Sequence, residues 1–382
     1  MKKLLRHWPL TLAALLALLC AFCLWRVWTV SNLLPSQQAA KRWKGGSERD
    51  FAQITCLMPP VMQLTLDDVY KFRGEMYQKL KGAGYDIESE KGLYLDAWST
   101  ASTATVSSGR RIGDVQLVAV GGNFFDFHPL RLLSGSYIQP DDVMDDRVLL
   151  DRETAWLLFG AADVAGMSFS LGGTPVVAAG VYEHEKDPFS TRAYGSGMQI
   201  YMSYSAYLRY LTGDASFAKS LFSNIFSIST YELVMAEPVK GFAYSSVTEK
   251  FPVKSAVLAE NSYRFEPERL FALLKNTSAR SMQIGFVYFP YWENAARAAE
   301  DRAARWLLAA VISGVFPIAL LFYELIRGAV KGKKKLEDEI LPNTGKKSRE
   351  LVRAWSRRRW ERKHPEEVQA DEYEPPNTDK RL

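Results

Sequence analysis

Two apolar runs stand apart from everything else in the hydrophobic pattern of this 382-residue chain. Leu10–Val30 reads LTLAALLALLCAFCLWRVWTV, and Trp306–Tyr323 reads WLLAAVISGVFPIALLFY. Each is close to the roughly 20 residues that cross a bilayer as helix. Pro9 stands just before the first run, where a missing N–H costs little. Its one charge, Arg26, lies between Trp25 and Trp28, where arginine snorkels and tryptophan favours the interface. Arg305 and Arg327 bracket the second run, Trp306 and Tyr323 serve as interface anchors, and Pro317 predicts a kink. No A-x-A-like cleavage site follows the first run, and no small residue precedes Cys20 or Cys23, so an uncleaved anchor is expected.

Between the runs the period of the pattern changes repeatedly. Ser31–Lys44 reads as a polar helical continuation of the first run, and Phe51–Leu57 as a strand. Leu64, Val69, Phe72, Met76 and Leu80 recur at helical steps, so Thr65–Leu80 is predicted to be an amphipathic helix stopped by Gly82. Leu93–Val106 is strand-like, which completes a β-α-β unit, and Ile112–Val120 is a further strand. From Asn123 the chain breaks into short pieces. An aromatic knot (Phe124, Phe125, Phe127) leads to turn residues Ser134-Gly135-Ser136, then to acids Asp141, Asp142, Asp145 and Asp146. Strand Val148-Leu149-Leu150, helix Asp151–Phe159 ending at Gly160, and two more strands up to Val181 follow. After a loop over Tyr182–Gly197 come strand Met198–Met202 and helix Ser203–Leu211. Strand Phe226–Met235, a helix from Pro238 to about Glu249 and a strand near Ser255–Glu260 make a second β-α-β unit. Phe265–Asn276 and the charged Tyr291–Arg305 complete the predicted helices.

Composition is 47% hydrophobic and 13% aromatic, enough for a packed core. There are three cysteines: two in the first apolar run, read as small lipid-facing hydrophobes, and Cys56 alone. No disulfide framework is available, so the outer domain must stand on packing. Basic residues set the orientation. Lys2, Lys3 and Arg6 precede the first run, and Arg327, Lys331, Lys333, Lys334 and Lys335 follow the second, so both termini are expected in the cytoplasm. Arg327–Leu382 holds 16 Lys and Arg against 11 Asp and Glu, a difference equal to the whole net charge of +5. Within it, Arg353, Trp355, Arg357, Arg358, Arg359 and Trp360 form a basic aromatic segment. Beside a bilayer such a segment suits anionic lipid or a cytoplasmic partner better than nucleic acid. Glu366–Pro376 is acidic, contains proline and reads as disordered.

The order of pieces from Asn123 to Val181 resembles the extracytoplasmic core domain of MacB-type and FtsX-type ABC transporter permeases. The shared phrase falls on Phe124, Phe125, Leu132, Gly135, Val148, Asp151, Ala155, Leu158-Phe159-Gly160, Asp163 and Gly166. The resemblance implies an α+β domain of two β-α-β repeats with an inserted mainly-β lobe, flanked by two transmembrane helices. It would divide the chain into residues 1–30 (cytoplasmic N-terminus and first membrane helix), 31–304 outside, 305–326 (second membrane helix) and 327–382 (cytoplasmic tail). Within the outer part, 31–104 and 223–304 would form a membrane-proximal lobe and 105–222 a distal one. Phe125, Leu132, Gly135, Asp151, Ala155, Phe159, Gly160 and Gly166 are then fold-forming residues. A full permease of this kind has two further membrane helices, absent from this sequence, and the sequence has no GxxxxGK[ST] phosphate loop. Alone, it is expected neither to hydrolyse ATP nor to pump.

No catalytic set emerges, and no cofactor or metal is expected. Glu183-His184-Glu185-Lys186-Asp187 is the one place where a histidine meets several carboxylates, and it reads as a solvated loop. The acids from Asp141 lack the glycine and terminal glutamate of a calcium loop. His128 before Pro129 reads as a packed turn residue. Leu341-Pro342-Asn343-Thr344-Gly345 matches a wall-sorting signal in the wrong place for one, and Asn276 opens a sequon relevant only to a secretory setting. The expectation is a non-catalytic membrane subunit or accessory of an ABC-type complex, in contact with an ABC ATPase or fuller permease. Ser31–Lys44 and Tyr291–Arg305 would be the levers that carry conformational change. The rival is a membrane-anchored sensor signalling through the basic tail.

Overall fold

The computed structural model describes residues 2–59, 62, 64–139, 146–195, 197–212, 227–275, 289–335 and 341–363. Its helices are α1 (Lys2–Ser31), α2 (Ala39–Lys44), α3 (Leu66–Gly82), α4 (Phe124–Phe127), α5 (Arg152–Phe159), α6 (Pro188–Tyr194), α7 (Tyr204–Thr212), α8 (Phe242–Lys250), α9 (Pro267–Leu273), α10 (Tyr291–Lys335) and α11 (Leu341–Lys363). The strands are β1 (Phe51–Leu57), β2 (Tyr94–Ser108), β3 (Arg111–Gly122), β4 (Arg131–Gly135), β5 (Arg147–Asp151), β6 (Ser168–Leu171), β7 (Thr174–Glu183), β8 (Gln199–Ser203), β9 (Thr230–Ala236) and β10 (Val257–Glu260).

Local chemistry explains most boundaries. Thr65 accepts from the Asp68 amide while Asp68 accepts from the Thr65 amide, a capping box that starts α3. Asp151 caps α5 by accepting from the Thr154 amide, without the reciprocal bond, and Gly160 ends that helix in the left-handed region. The segment after α1 departs from the continuous helix expected over Ser31–Lys44. Leu34 is extended (φ −95°, ψ 110°) because Pro35 follows, and a 3-10 turn over Pro35–Gln37 separates α1 from α2. Other corrections are smaller. Pro9 lies inside α1 rather than before it. Ser134 and Gly135 close strand β4 rather than a turn. The loop after Val181 contains α6, capped by Asp187 and opened by Pro188. Pro317 lies inside α10, and the helix continues past it to Lys335. The acids Asp141, Asp142 and Asp145, the sequon at Asn276, and 364–382 lie outside the described residues.

All ten strands join one sheet, in the order β10-β1-β9-β2-β3-β8-β5-β7-β4. The units β1-α3-β2 and β9-α8-β10 interleave, so that β9 lies between β1 and β2, antiparallel to both. That is the split β-α-β arrangement, with residues 109–229 threaded between its halves. β6 leaves the linear order and pairs with both β2 and β7, so pairing from β2 through β3, β8, β5, β7 and β6 returns to β2. Closing that ring hides strand edges that would otherwise stand open. One long strand, β2, carries the chain across residues 104 and 105, where the two lobes were expected to meet.

Residues 21–310 form one compact unit, and 1–20 with 311–382 another. In the first, strands are buried on both faces. Ala52, Ile54, Cys56, Tyr231, Leu233 and Met235 face α3 and α8. Leu95, Ala97, Val118, Val120 and Val234 face Ala39 and Ala40 of α2, Phe124, Phe127, and Tyr291 and Trp292 at the start of α10. Burial pushes the Cys56 thiol well up, which keeps it protonated and inert. In the second unit, a methyl group built on Gly314 would lie 3.3 Å from the Cys20 sulfur, so small residues set the spacing of α1 and α10. Trp8–Ser31 and Tyr291–Lys333 are long and apolar enough to cross a membrane. Leu18 is 68% exposed and Ile312 67%, which fits lipid contact rather than the inside of a soluble core.

Candidate functional site

The most elaborate chemistry of the domain surrounds the first turns of α10. Trp292 packs edge-on against Phe124 (5.7 Å between centroids) and lies 4.5 Å from the His128 ring. Tyr291 stacks on Tyr194 at 3.8 Å, and its hydroxyl donates to Glu185 at 3.2 Å. Beyond them Tyr201 and Tyr182 continue the aromatic run, 5.4 Å apart. Burial raises the phenol pKa of Tyr182 and Tyr194 well above its ordinary value and raises that of Tyr201 too, so these hydroxyls stay neutral donors.

The next residue begins an ionic cluster. Arg264 closes the 3-10 turn Asn261–Tyr263 that follows β10 and is buried with Glu293. Its Nη2 reaches both Glu293 oxygens at 3.0 and 2.8 Å, and its Nε lies 3.1 Å from Glu300. Arg297 Nε donates to Glu293 at 2.7 Å. Among the described residues two guanidinium groups thus face two carboxylates here, and such pairing lets charges tolerate burial. Burial alone would lower the Arg264 pKa, but the charges of Glu293 and Glu300 carry it above the ordinary value. A polar layer on the central strands lies beside this cluster. His128 Nε2 pairs with Glu232, Glu232 accepts from Thr55 Oγ1 at 3.1 Å, and Asn261 donates to Thr55 at 3.0 Å. His128 is therefore more than a packed turn residue: it joins a buried carboxylate to Trp292. Sequence reading missed Glu232, Arg264, Glu293 and Glu300. The available signal was Glu293, Arg297 and Glu300 at i, i+4 and i+7, one helix face, set among Ala295, Ala296, Ala299 and Ala303.

The acid-and-histidine loop is not simply solvated. His184 Nε2 lies 3.0 Å from Asp151 and 3.8 Å from Glu153, and its ring sits 4.1 Å from Tyr194. Asp151, Glu153 and His184 bring potential metal-ligating atoms within 4.8 Å of one another. The Asp151 oxygens are already committed, however, one to the Thr154 amide at 2.7 Å and the other to the Gln199 amide at 2.8 Å. The donor set fits a brace between α5, β8 and the loop better than an ion. A cleft of about 470 Å³ opens beside it, lined by Arg152, Glu153, Glu183, His184 and Lys186.

The fold-motif residues take up local roles. At Gly135 (φ +71°) a side chain would collide with the Ala179 carbonyl, and Gly166 (φ +85°) donates its amide to Ala178 at 2.8 Å. Ala155 is fully buried beside Leu158. Phe159 packs edge-on against Phe169 at 6.3 Å, and Phe125 stacks on Tyr137 at 4.6 Å. Leu132 packs against the face that holds Trp292. None of these meets the ionic cluster directly. In the tail, Arg353, Trp355, Arg357, Arg358, Arg359 and Trp360 all lie on α11, where Arg359 covers the Trp355 ring at 5.1 Å.

Residues 67–240 match the model of the MacB-like periplasmic core domain. In sequence, the matched stretch lies between the two helices long and apolar enough to cross a membrane. Among solved structures the chain is similar to the periplasmic region of MacB from Actinobacillus actinomycetemcomitans, at 16% identity and TM-score 0.41, covering 59% of this chain and 94% of that one. It is also similar to the extracellular domain of the noncanonic ABC-type transporter YknZ from Gram-positive bacteria (14%, TM-score 0.35, 55% and 100% covered). A domain of a putative permease protein from Porphyromonas gingivalis matches at 10% and TM-score 0.29, over 55% of this chain and 85% of that one. A comparison with curated proteins returns no match.

Proposed function

We propose that this protein is a non-catalytic membrane component of a MacB-like ABC-type transporter complex, and that it transmits conformational change between the membrane and its outer domain. The observation that carries the reading is the root of α10. One unbroken helix, Tyr291–Lys335, begins in a buried aromatic and ionic socket and continues through the second apolar run. A rotation of that helix cannot be absorbed at its root without separating Glu293 from Arg264, so motion passes into the sheet. The MacB-like domain match supplies the transporter context.

Basic residues after the second apolar run support cytoplasmic termini and an outer domain. In this arrangement 31–104 and 223–304 lie near the membrane and 105–222 beyond them. The fold-motif residues hold the far part in shape, and the exposed arginines of α11 rest on anionic lipid or an ATPase surface. The test is affinity isolation from mild detergent with a tag on the tail, read by mass spectrometry. Stoichiometric recovery of an ABC ATPase with a larger permease is the expected result. Clean isolation without either overturns the reading in favour of a stand-alone receptor.

A further inference from the structure

A cleft of about 670 Å³ lies where the end of α1, helix α6 and the middle of α10 approach one another. Four arginines line it: Arg26 from α1, Arg192 from α6, and Arg302 and Arg305 from α10. The lining holds one carboxylate, Asp301, which is buried. Arg192 and Arg302 are exposed and make no ion pair or hydrogen bond among the described residues. The positive charge of the cleft is therefore not neutralised from within its lining. The same lining includes apolar Val30, Leu33, Phe189 and Ala298.

The level of this cleft is set by its aromatic neighbours. Arg26 lies over the Trp306 ring at 5.6 Å and over Trp25 at 6.0 Å. Trp306 opens the second apolar run, and Trp25 and Trp28 close the first. Tryptophan at both ends of such runs marks the boundary between acyl chain and headgroup. A pocket at that depth whose lining combines four guanidinium groups with apolar side chains suits a molecule with an anionic phosphate head and a hydrocarbon tail. Guanidinium binds phosphate oxygens through paired N–H donors, and the apolar side chains accept the first methylenes of a chain.

We propose that this cleft binds the phosphodiester headgroup of one acidic phospholipid from the leaflet on the domain side. The bound lipid bridges α1, α6 and α10 at the point where they leave the domain. The site is separate from the tail on α11, and it does not depend on the transporter reading, since an anchored receptor would hold the same lipid.

Native mass spectrometry of the full chain in detergent tests the assignment, with phosphatidylglycerol, phosphatidylcholine and inorganic phosphate as probes. To silence the tail, all chains carry Arg357→Gln, Arg358→Gln and Arg359→Gln. One retained phosphatidylglycerol per chain is expected, with little phosphatidylcholine and no displacement by excess phosphate. Arg192→Gln with Arg302→Gln is expected to weaken retention by about tenfold or more, and Arg192→Lys with Arg302→Lys, which keeps the charge but not the paired donors, to restore part of it. Both arginines are exposed, so the melting temperature serves as the control for folding. If the glutamine variant melts early, the lysine variant and the comparison of the two lipids on the parent decide instead. Equal retention of both lipids, unchanged retention in a folded glutamine variant, or displacement by inorganic phosphate each overturns the proposal, the last in favour of a free-anion site.

Discussion

The two helices that leave the domain are held in opposite ways. α10 enters the domain as continuous helix and ends in groups that cannot be rearranged cheaply: Trp292 between Phe124 and His128, and Glu293 between Arg264 and Arg297. α1 stops at Ser31, passes through an extended Leu34 and a 3-10 turn, and restarts as the short α2. It meets the sheet through the packing of Ala39 and Ala40 and through a pair of hydrogen bonds, in which Gln53 accepts from the Ala39 amide at 2.9 Å and donates to the Ser36 carbonyl at 2.7 Å. One connection is rooted and the other jointed. The transmission proposed above needs both, because a domain fixed rigidly to two helices has no way to tilt.

The rooted side should fail most severely. Arg264→Met leaves Glu293 and Glu300 as buried carboxylates with too little compensation, since their side chains are 1% and 7% exposed. A loss of about 3–5 kcal/mol is expected, read as a fall in melting temperature of the detergent-solubilised protein. Arg264→Met with Glu293→Leu should recover much of that loss. A double variant as unstable as the single one would show that the cluster is held by something other than its charges. Trp292→Ala comes next, at about 3 kcal/mol, because the ring fills space between Phe124 and His128 that little else can enter.

A third effect separates the two sides by pH. Burial raises the phenol pKa of Tyr182, Tyr194 and Tyr201 in the folded state. Below the ordinary value of about 10 both states keep their protons, so these residues add no pH dependence. Above it the unfolded chain ionises first and binds fewer protons, so stability falls as pH climbs from about 10 toward the folded value. Melting curves from about pH 8 to about pH 11 should be flat and then decline, and Tyr201→Phe should make the decline shallower. The jointed segment from Ser31 to Lys44 contains no tyrosine and should not share this dependence.

How much of this was legible in the sequence follows from the range of the interactions. The strands, α3 with its capping box and α5 with its glycine stop are local, and the period of apolar residues exposes them. The phrase from Phe124 to Gly166 was legible as a pattern, with Gly135 fixed there by the Ala179 carbonyl. The socket was not. Arg264 meets Glu293 across 29 residues and His128 meets Glu232 across 104, and nothing near either partner announces the other. Ser31–Lys44 failed for a different reason. Its composition permits helix, but Pro35 forces Leu34 out of the helical region, and one residue outweighed the propensity of a dozen.

The smallest expected effect is on the jointed side, and it decides whether the contrast is real. Gln53→Ala removes both side-chain hydrogen bonds that β1 makes to Ser36 and Ala39. Gln53 is fully buried, yet the Ser36 carbonyl it serves belongs to a half-exposed residue that water can reach. The penalty for an unpaired group therefore falls mainly on the Ala39 amide, and about 1 kcal/mol is expected. Hydrogen exchange should quicken across 32–40 while the amides of α10 from Tyr291 to Ala304 keep their protection. If Gln53→Ala instead loosened α10 or cost as much as Arg264→Met, the two connections would be one cooperative unit. The domain would then move as a block with both helices, and the joint at Pro35 would be a feature of chain geometry without mechanical consequence.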